Sequence, residues 1–277
     1  MARILETEQL SSDVYKFVVE APLIAEERQA GQFIILQTDL EMGERIPLTI
    51  ADANREKGTI TLIFQAIGKT TMDLAEFKAG ADIPVLTGPL GSPTHIENFG
   101  HAVCVCGGIG TAPMYPIVQA LKKAGNKVTV ILGARQKNLI IMENEMKNAA
   151  DEVIICTDDG SYGRKCLVTE PLKELCEGEK PDYAVAIGPP IMMKFCAETT
   201  RPYGVKTFAS LNSIMVDGTG MCGGCRVTVG GSVKFVCVDG PEFDAHQIDW
   251  ESMLKRMGTY KQHEAQAIEK RRCKCGK

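Results

Sequence analysis

The sequence predicts a β-barrel, then a doubly wound parallel α/β domain, then a small cysteine-rich module. Three observations support this fold class: β-branched segments bounded by turn residues over the first hundred residues, a strand–loop–helix rhythm from residue 101, and a Gly- and Cys-dense stretch from residue 212. The predicted domain boundaries are 1–98, 99–211 and 212–277. A chain of 277 residues agrees with more than one domain, because a typical domain has about 100–150 residues.

The first region contains segments typical of β-strands. In chain order they are DVYKFVVEAP, GQFIILQTD, GTITLIFQAIG and ADIPVLTGPLG, each bounded by Gly, Pro, Asp or Asn. A short helical stretch, TTMDLAEF, follows Gly68. About six strands with one helix predict a small closed barrel. The strand pattern alone leaves a purely structural role open.

From His101 onward, predicted strands alternate with predicted helices. The strands include HAVCVC, KVTVILGAR, EVIICTDDG, YAVAIGPP and VKTFAS, and the helices include MYPIVQALKKAG, LVTEPLKELC and IMMKFCAETT. This alternation predicts a parallel sheet, in which ligands bind at the carboxyl ends of the strands. Four of those ends are rich in Gly or Pro, at 107–113, 133–135, 158–163 and 188–190. Together they indicate a ligand crevice.

The stretch DGTGMCGGCRVTVGGSVKFVC carries the strongest signal for a site. Plant-type [2Fe–2S] clusters use the spacing C-x₄-C-x₂-C…C, and this chain has Asp217 in the first position, followed by Cys222, Cys225 and Cys237. A carboxylate has the charge of a thiolate and can ligate iron, so we expect a [2Fe–2S] cluster with a shifted potential. A structural zinc with three Cys and one Asp, and a loop without metal, are the alternatives.

Composition restricts the classes of partner. Lys plus Arg is 31 and Asp plus Glu is 35, a net charge of −4, which argues against a nucleic-acid partner because phosphate binding depends on a basic surface. No apolar run approaches the ~20 residues that span a bilayer, and the N-terminus lacks the apolar core of a signal peptide. We therefore expect a soluble, cytoplasmic protein without a nucleic-acid or membrane partner.

The chain has eleven cysteines, and a reducing cytosol argues against a disulfide framework. Six of them lie singly in apolar strands or amphipathic helices and are predicted to be small buried hydrophobic residues: Cys104, Cys106, Cys156, Cys166, Cys176 and Cys196. The role of Cys273 and Cys275 stays open. They lie in a basic tail that is predicted to be solvated, with cations at Lys270, Arg271, Arg272, Lys274 and Lys277. The four histidines are predicted to be surface or loop residues.

The loop VCGGIGTAP follows the first predicted strand of the α/β region. Its glycines would let the backbone approach a pyrophosphate at the start of a helix. The loop departs from the G-x-G-x-x-G fingerprint, since Pro113 stands where the last glycine would be. The next strand ends in Gly-Ala-Arg at 133–135, with no acidic residue for a ribose hydroxyl. We therefore predict a nucleotide site that differs from the standard Rossmann type.

The motifs RIPLT, GKTT, GPLG, CGGIGTAP, TDDGSYG and GPP, in this order, resemble the ferredoxin–NADP reductase superfamily. With the cluster segment, the chain resembles the electron-transfer subunit of dihydroorotate dehydrogenase. The carboxylate in the first ligand position is more similar to the small, NAD-binding subunit of NADH-dependent reduced ferredoxin:NADP⁺ oxidoreductase, also described as a sulfide dehydrogenase subunit. The resemblance extends to about residue 258.

The resemblance implies an FAD site on the barrel. The flavin segment R-x-[YL]-[ST] of the family falls on residues 46–49, with Ile46 at the Arg position and an arginine one residue earlier. The implied FAD-binding residues are Arg45, Pro47, Leu48, Thr49, Gly68, Thr70 and Thr71. Helix capping is the alternative role of the two threonines at 70 and 71.

The resemblance also implies a nicotinamide-nucleotide site. The implied NAD-binding residues are Gly107, Gly108, Gly110, Thr111, Ala112, Pro113, Gly133, Arg135, Asp158, Asp159, Gly160, Gly188, Pro189 and Met192. Arg135 would also suit a 2′-phosphate, so NADP is an alternative, although the resemblance favours NAD(H). No catalytic side chain is predicted, because hydride transfer between nicotinamide and flavin is the chemistry of the cofactors.

The implied function is that of an electron-transfer flavoprotein subunit with FAD, a [2Fe–2S] cluster and NAD(H) as substrate. The implied partner in a heterodimer is a larger flavoprotein and iron–sulfur subunit, and the complex performs flavin-based electron bifurcation. In that scheme the partner oxidises NADPH and reduces ferredoxin, while this chain passes the other electron to NAD⁺. Two alternatives stay open: a dihydroorotate dehydrogenase electron-transfer subunit, whose family has Cys at position 217, and a non-catalytic redox-sensing subunit.

Overall fold

The computed structural model describes residues 1–41 and 43–275, without the side chains of Arg272, Lys274 and Cys275. Its strands are β1 (Ala2–Gln9), β2 (Val14–Glu20), β3 (Phe33–Gln37), β4 (Arg45–Asn54), β5 (Thr59–Gln65), β6 (Asp82–Ile83), β7 (Val85–Leu90), β8 (His101–Gly107), β9 (Lys127–Ala134), β10 (Glu152–Thr157), β11 (Arg164–Lys165), β12 (Tyr183–Ile187), β13 (Lys206–Ser210), β14 (Arg226–Val229), β15 (Ser232–Phe235) and β16 (Glu242–Asp244). Its α-helices are α1 (Pro22–Glu27), α2 (Lys69–Ala75), α3 (Thr111–Lys123), α4 (Glu143–Ala149), α5 (Thr169–Glu177), α6 (Pro190–Thr200), α7 (Val236–Asp239), α8 (Trp250–Met257) and α9 (Lys261–Cys275).

The N-terminal strands form the predicted barrel. Its order is β6-β1-β2-β5-β4-β3-β7, and all neighbouring strands are antiparallel. The end strands β6 and β7 are consecutive in the chain, so the sheet curls until it nearly closes. Phe17, Ile34 and Leu62 are fully buried inside it, and burial of each such side chain contributes roughly 1.5–3 kcal/mol. The prediction of one helix missed α1, whose Pro22 suits the first helical position.

The second sheet has the order β11-β10-β9-β8-β12-β13-β16, and its strands are parallel except for β16. The chain runs outward from β8 to β9 and β10, then returns to β12 on the other side of β8. The order therefore reverses between β8 and β12, which is where doubly wound sheets bind ligands. The six cysteines predicted to be buried are buried: Cys104, Cys106, Cys156, Cys166, Cys176 and Cys196. The prediction of surface histidines is wrong for His101, which is buried beside Thr129.

The C-terminal module consists of the β14–β15 hairpin and the elements that follow it. The short strand β16 pairs with β13 and so extends the α/β sheet. The predicted domain boundaries stay a prediction. Strand β16 lies in the predicted module 212–277, but it pairs with β13 of the predicted α/β domain. Trp250 and Met253 of α8 pack in the same apolar core as Val103 of β8, so module and sheet share one core.

Each of the three parts contacts the other two. Ala112 of α3 is buried with Val14, Ala51 and Ile63 of the barrel. Between barrel and module, the backbone N of Ser92 donates to the carbonyl oxygen of Gly240 at 2.7 Å. The module and the α/β domain are also joined, because β16 belongs to the α/β sheet. We call this arrangement, in which each part contacts both others, the closed triangle.

The helix α9 returns the chain to the barrel. The Arg271 guanidinium lies 2.6 Å from the Asp73 carboxylate and 2.5 Å from that of Glu76, and it donates to the carbonyl oxygen of Met72 at 3.2 Å. The prediction of a solvated tail is therefore wrong at Arg271, which docks on α2. Among the described residues, none of the helices has the length and apolar character to cross a membrane.

Candidate cofactor and nucleotide sites

The predicted flavin strand β4 has two distinct faces. Ile46 and Leu48 pack against the barrel core. Because side chains alternate along a strand, Arg45 lies on the same face as Pro47 and Thr49. The structure therefore places Arg45, and not Ile46, on the face available to a flavin, while Leu48 can offer that face only its backbone.

The second predicted flavin segment is the start of α2. The Thr71 hydroxyl accepts from the backbone N of Gly68 and donates to its carbonyl oxygen, both at 3.0 Å, so this threonine does cap the helix. The buried Thr70 hydroxyl donates to Glu44 Oε2 at 2.8 Å. Glu44 directly precedes β4, so this bond joins the two predicted flavin segments.

The predicted nucleotide residues meet at the reversal between β8 and β12. A Cβ atom on Gly107 would lie 2.6 Å from Met192 Sδ, and one on Gly188 would lie 2.8 Å from Met192 Cε. A Cβ atom on Gly110 would lie 2.3 Å from the carbonyl oxygen of Ile187. Close contact between the two strand ends thus requires glycine at all three positions.

The outer side of this loop is open. Gly108 has φ of +56°, and no atom lies within 4 Å of the position that its Cβ would occupy. The Thr111 hydroxyl donates to the Gly108 carbonyl oxygen at 2.9 Å and fixes the shape of the turn. Pro113 is half-buried in the first turn of α3, whereas the Ala112 side chain faces the barrel. The backbone at Gly108 is the part of the loop that can meet a ligand.

The ends of β9 and β10 continue the same edge of the sheet. The backbone N of Asp158 donates to the carbonyl oxygen of Ala134 at 3.1 Å, and that of Asp159 donates to Arg135 at 3.2 Å. Hydrogen bonds from Ser161 lower the pKa of Asp159, so the Asp159 carboxylate in this turn is negatively charged at neutral pH. Gly133 itself packs under Val168. The exposed residues at this end are Arg135, Asp158, Asp159, Gly160 and Pro189.

Two of the four predicted cluster ligands lie together. The Sγ atoms of Cys225 and Cys237 are 3.3 Å apart. Thiolates on one tetrahedral metal, each at about 2.3 Å, lie about 3.8 Å apart, so a small shift lets these two share one ion. The backbone N–H groups of Gly224 and Cys237 point at the sulfurs of Cys222 and Cys225 at 3.4 and 3.5 Å, as expected where thiolates are stabilised.

The other two predicted ligands are less assembled. Cys222 is exposed. Asp217 accepts from the backbone N atoms of Thr219, Met221 and Cys222 at 2.9, 3.2 and 3.1 Å. Hydrogen bonds from Cys222 and Thr219 hold the pKa of Asp217 well below its usual range. Among the side chains that the structure describes, no three of Cys, His, Asp or Glu converge on one point, yet the donor chemistry and the sulfur pair fit an iron–sulfur group.

The cluster loop packs against the barrel. A Cβ atom on Gly218, whose φ is +80°, would lie 2.7 Å from Ile35 Cγ1 and 2.9 Å from Leu90 Cδ1. In the β3–β4 ladder, Ile35 pairs with Pro47. The predicted metal loop is therefore one strand away from the predicted flavin segment.

A buried carboxyl group at the junction of the three parts was missed by the sequence prediction. Glu242 accepts from the Thr94 hydroxyl at 2.7 Å. Burial raises its pKa to about 7, against the lowering effect of the Thr94 hydrogen bond. A lone Glu in the segment PEFDA carries no motif, so the sequence holds no signal that finds it.

Comparison with family models supports the two functional regions. Residues 104–198 match the oxidoreductase NAD-binding domain, and residues 212–249 match the iron–sulfur cluster binding domain of dihydroorotate dehydrogenase B. The second match contains the whole proposed ligand set, from Asp217 to Cys237.

Curated relatives match over most of their length. A Thermotoga maritima protein described as a dihydroorotate dehydrogenase B (NAD⁺) electron transfer subunit homolog is 46% identical over 96% of this chain and 94% of its own. The electron transfer subunit of dihydroorotate dehydrogenase B from Desulforamulus reducens is 34% identical over 90% of this chain and 98% of its own.

Solved structures agree. A chain from the structure of NADH-dependent reduced ferredoxin-NADP oxidoreductase, a study of flavin-based electron bifurcation, has a TM-score of 0.92 and 45% identity, over 98% of this chain and 97% of that one. An Amycolatopsis cytochrome P450 reductase has a TM-score of 0.62 at 19% identity, over 74% of this chain and 66% of that one, which shows the shared fold.

Proposed function

Since this chain belongs to the family of dihydroorotate dehydrogenase B electron transfer subunits, we propose that it carries electrons between NAD(H), FAD and a [2Fe–2S] cluster. It is an oxidoreductase subunit with an NAD-binding region and an iron–sulfur region. FAD, when bound, exchanges a hydride with NAD(H) and single electrons with the cluster. The residues of this chain bind, orient and separate these groups.

One observation carries the proposal: the metal loop, the flavin strand and the nucleotide crevice adjoin one another. Gly218 touches Ile35, which pairs with Pro47 of β4. The first turn of α3, which begins in the nucleotide loop, packs through Ala112 on Ala51 of the same strand β4. A flavin on β4 therefore lies between the nucleotide loop and the metal loop.

The nucleotide crevice would be shaped mainly by backbone. Gly108 offers an open turn at the start of a helix, where N–H groups suit a pyrophosphate. Gly107 and Gly188 hold β8 and β12 close, and Met192 covers both. These contacts would orient a nicotinamide toward β4 and exclude water from the gap between the two rings.

Asp217, Cys222, Cys225 and Cys237 would hold the cluster. The adjacent sulfurs of Cys225 and Cys237 would bind it from one side, and Asp217 and Cys222 would complete the ligand set. Binding requires the Asp217 carboxylate to exchange part of its hydrogen bonds within the loop for the metal. Val216, Met221 and Val238 are exposed around this loop, which provides an apolar rim where an electron-transfer partner can dock.

We propose that the partner is a larger flavoprotein and iron–sulfur subunit in a heterodimer that bifurcates electrons from NADPH to ferredoxin and NAD⁺. Two features support this over dihydroorotate oxidation. One is the carboxylate at position 217. The other is that identity with the chain from the reduced ferredoxin-NADP oxidoreductase is 45%, against 34% with the dihydroorotate dehydrogenase B electron transfer subunit of Desulforamulus reducens. The purified complex should reduce ferredoxin with NADPH only when NAD⁺ is present. Turnover of dihydroorotate instead would overturn the choice of partner.

The decisive experiment is an anaerobic optical and EPR spectrum of the chain, loaded with iron, sulfide and FAD, before and after NADH. We expect NADH to bleach the flavin band and to produce the EPR signal of a reduced [2Fe–2S] cluster. Asp217→Cys should keep the cluster with an altered signal, and Asp217→Ala should lose it.

Asp249→Ala is the matched control. Asp249 also accepts a backbone N–H in the same module, from Ser252 at 3.0 Å at the start of α8, but it lies outside the metal loop. Its cluster signal should equal that of the unmodified chain. Absence of both chromophores would refute the proposed function, and zinc without iron or sulfide would favour the structural alternative.

A further inference from the structure

Two cysteines that the proposed function does not use lie side by side below the predicted nucleotide turn. Cys156 is in β10 and Cys166 directly follows β11, and their Sγ atoms are 3.2 Å apart. In the parallel ladder Cys156 pairs with Arg164, so Cys166 lies two residues beyond that partner and on the same face. Both thiols are buried in one apolar core with Val168.

The nine residues between these cysteines comprise the last residue of β10, the turn region 158–163 and strand β11, and we call this connection the loop 157–165. It contains the predicted turn at 158–160. The Thr157 hydroxyl donates to the carbonyl oxygen of Tyr162 at 2.6 Å and accepts from its backbone N at 3.1 Å. The Tyr162 hydroxyl donates to Glu143 Oε1 at 2.8 Å. These hydrogen bonds bring the two ends of the loop together, and the sulfurs of Cys156 and Cys166 lie at those ends.

We propose that Cys156 and Cys166 are a modification site, at which a reversible intrachain disulfide closes the loop 157–165. A small-molecule disulfide such as oxidised glutathione is the oxidant. Its S–S bond breaks, a bond forms between the two Sγ atoms, and the two protons and two electrons of the protein thiols leave with the two released glutathione molecules. The reaction passes through a mixed disulfide.

Burial sets the rate of this reaction. Burial raises the pKa of the Cys156 thiol to about 12, and the neighbouring Cys166 adds to that effect. A thiol reacts through its thiolate, so exchange proceeds over minutes to hours rather than seconds. The exposed loop above the sulfurs is the part that must open for the oxidant to enter.

The consequence for the nucleotide rests on the proposed function. The disulfide would remove freedom from the loop that carries Asp158 and Asp159, and binding then costs less ordering. We expect the oxidised chain to reach half-maximal flavin reduction at an NADH concentration about two- to fivefold lower than the reduced chain.

The test is peptide mapping of the native full chain after anaerobic incubation with oxidised glutathione. Remaining thiols are alkylated, and the denatured protein is cut with trypsin. Cleavage after Lys and Arg gives peptides 148–164 and 166–173, each with a single cysteine. We expect them as one linked species that reductant separates, and that Cys156→Ser abolishes.

Cys176 is the matched internal control. It is buried in the same apolar core, and trypsin releases it as the only cysteine of peptide 174–194, because the Lys180–Pro181 bond resists cleavage. It should be recovered alkylated, and Cys176→Ser should leave the linked species unchanged. Free Cys156 and Cys166 after native oxidation, or Cys166 linked equally to Cys176, would overturn the proposal.

The NADH titration is read separately. A linked peptide in a chain whose flavin never responds to NADH would refute the proposed function and support the disulfide. Flavin bleaching without the linked peptide would support the proposed function and refute the disulfide. An equal shift of the titration in oxidant-treated Cys156→Ser would refute the link between disulfide and nucleotide.

Discussion

At the scale of single residues, Gly218 and Gly231 allow a matched comparison. Both have positive φ, at +80° and +77°. A side chain on Gly218 meets Ile35 and Leu90, whereas no atom lies within 4 Å of the corresponding position at Gly231. An alanine would therefore bring similar backbone strain at both positions, but its side chain would clash with neighbouring atoms only at Gly218.

We predict that Gly218→Ala displaces the metal loop from the barrel and lowers the cluster content several-fold. Gly231→Ala, at the tip of the β14–β15 hairpin, should cost only the backbone strain, about 1 kcal/mol. Iron and sulfide analysis together with thermal unfolding measures both. Equal cluster content in the two variants would contradict the role given to this contact.

Single residues also show how far the sequence predicts the site. The Gly-rich strand ends and the Asp-Cys spacing are local patterns, so Gly108, Gly188 and Cys225 could be placed on the correct loops. The face of β4 that Arg45 occupies depends on the phase of the strand in the barrel. The Glu242–Thr94 bond joins segments 148 residues apart, and no local pattern encodes such a contact.

At the scale of elements, α9 illustrates a similar limit. Its composition predicts a solvated tail, because an evenly polar helix has no apolar face to bury. The structure docks it on α2 through Arg271, which is 15% exposed and binds Asp73 and Glu76. Burial alone would raise the pKa of Asp73, but hydrogen bonds from Arg271 and Lys69 bring it below its usual value.

We predict that Arg271→Ala releases α9 from α2 and lowers the stability of the barrel by about 1–2 kcal/mol. FAD should also be lost more readily, because α2 begins at Gly68. Thermal unfolding and flavin retention after gel filtration measure both effects. Lys270→Ala is the control, since Lys270 has the same charge on the same helix and is exposed; an equal effect of the two variants would refute the docking.

At the scale of the whole molecule, Glu242 couples stability to pH. Its pKa is about 7 in the folded chain against an ordinary value of 4.5. The folded state therefore holds a proton between these values that the unfolded state has lost, so stability falls as pH rises from 4.5 through 7. Above pH 7 the full cost of the buried charge is present.

We predict that Glu242→Gln stabilises the chain at pH 8 relative to pH 5. The pKa difference corresponds to roughly 3 kcal/mol, and because Glu242 is only half-buried as a residue we expect about 1–2 kcal/mol. Denaturant unfolding at both pH values measures the effect, with the exposed Glu251 changed to Gln as the control. A difference between pH 8 and pH 5 that is the same in both variants would exclude Glu242 as the cause.

The closed triangle of contacts has a mechanical consequence. Three domains joined in a row can rotate about each connection. Three domains that each contact the other two restrict one another's rotation. Here Ala112, Gly218 and β16 supply the three joints. A domain movement that widened the proposed nucleotide crevice would have to break a second joint elsewhere. We therefore expect nucleotide exchange to depend on movement of small loops such as 157–165, with a constant spacing between β4 and the metal loop.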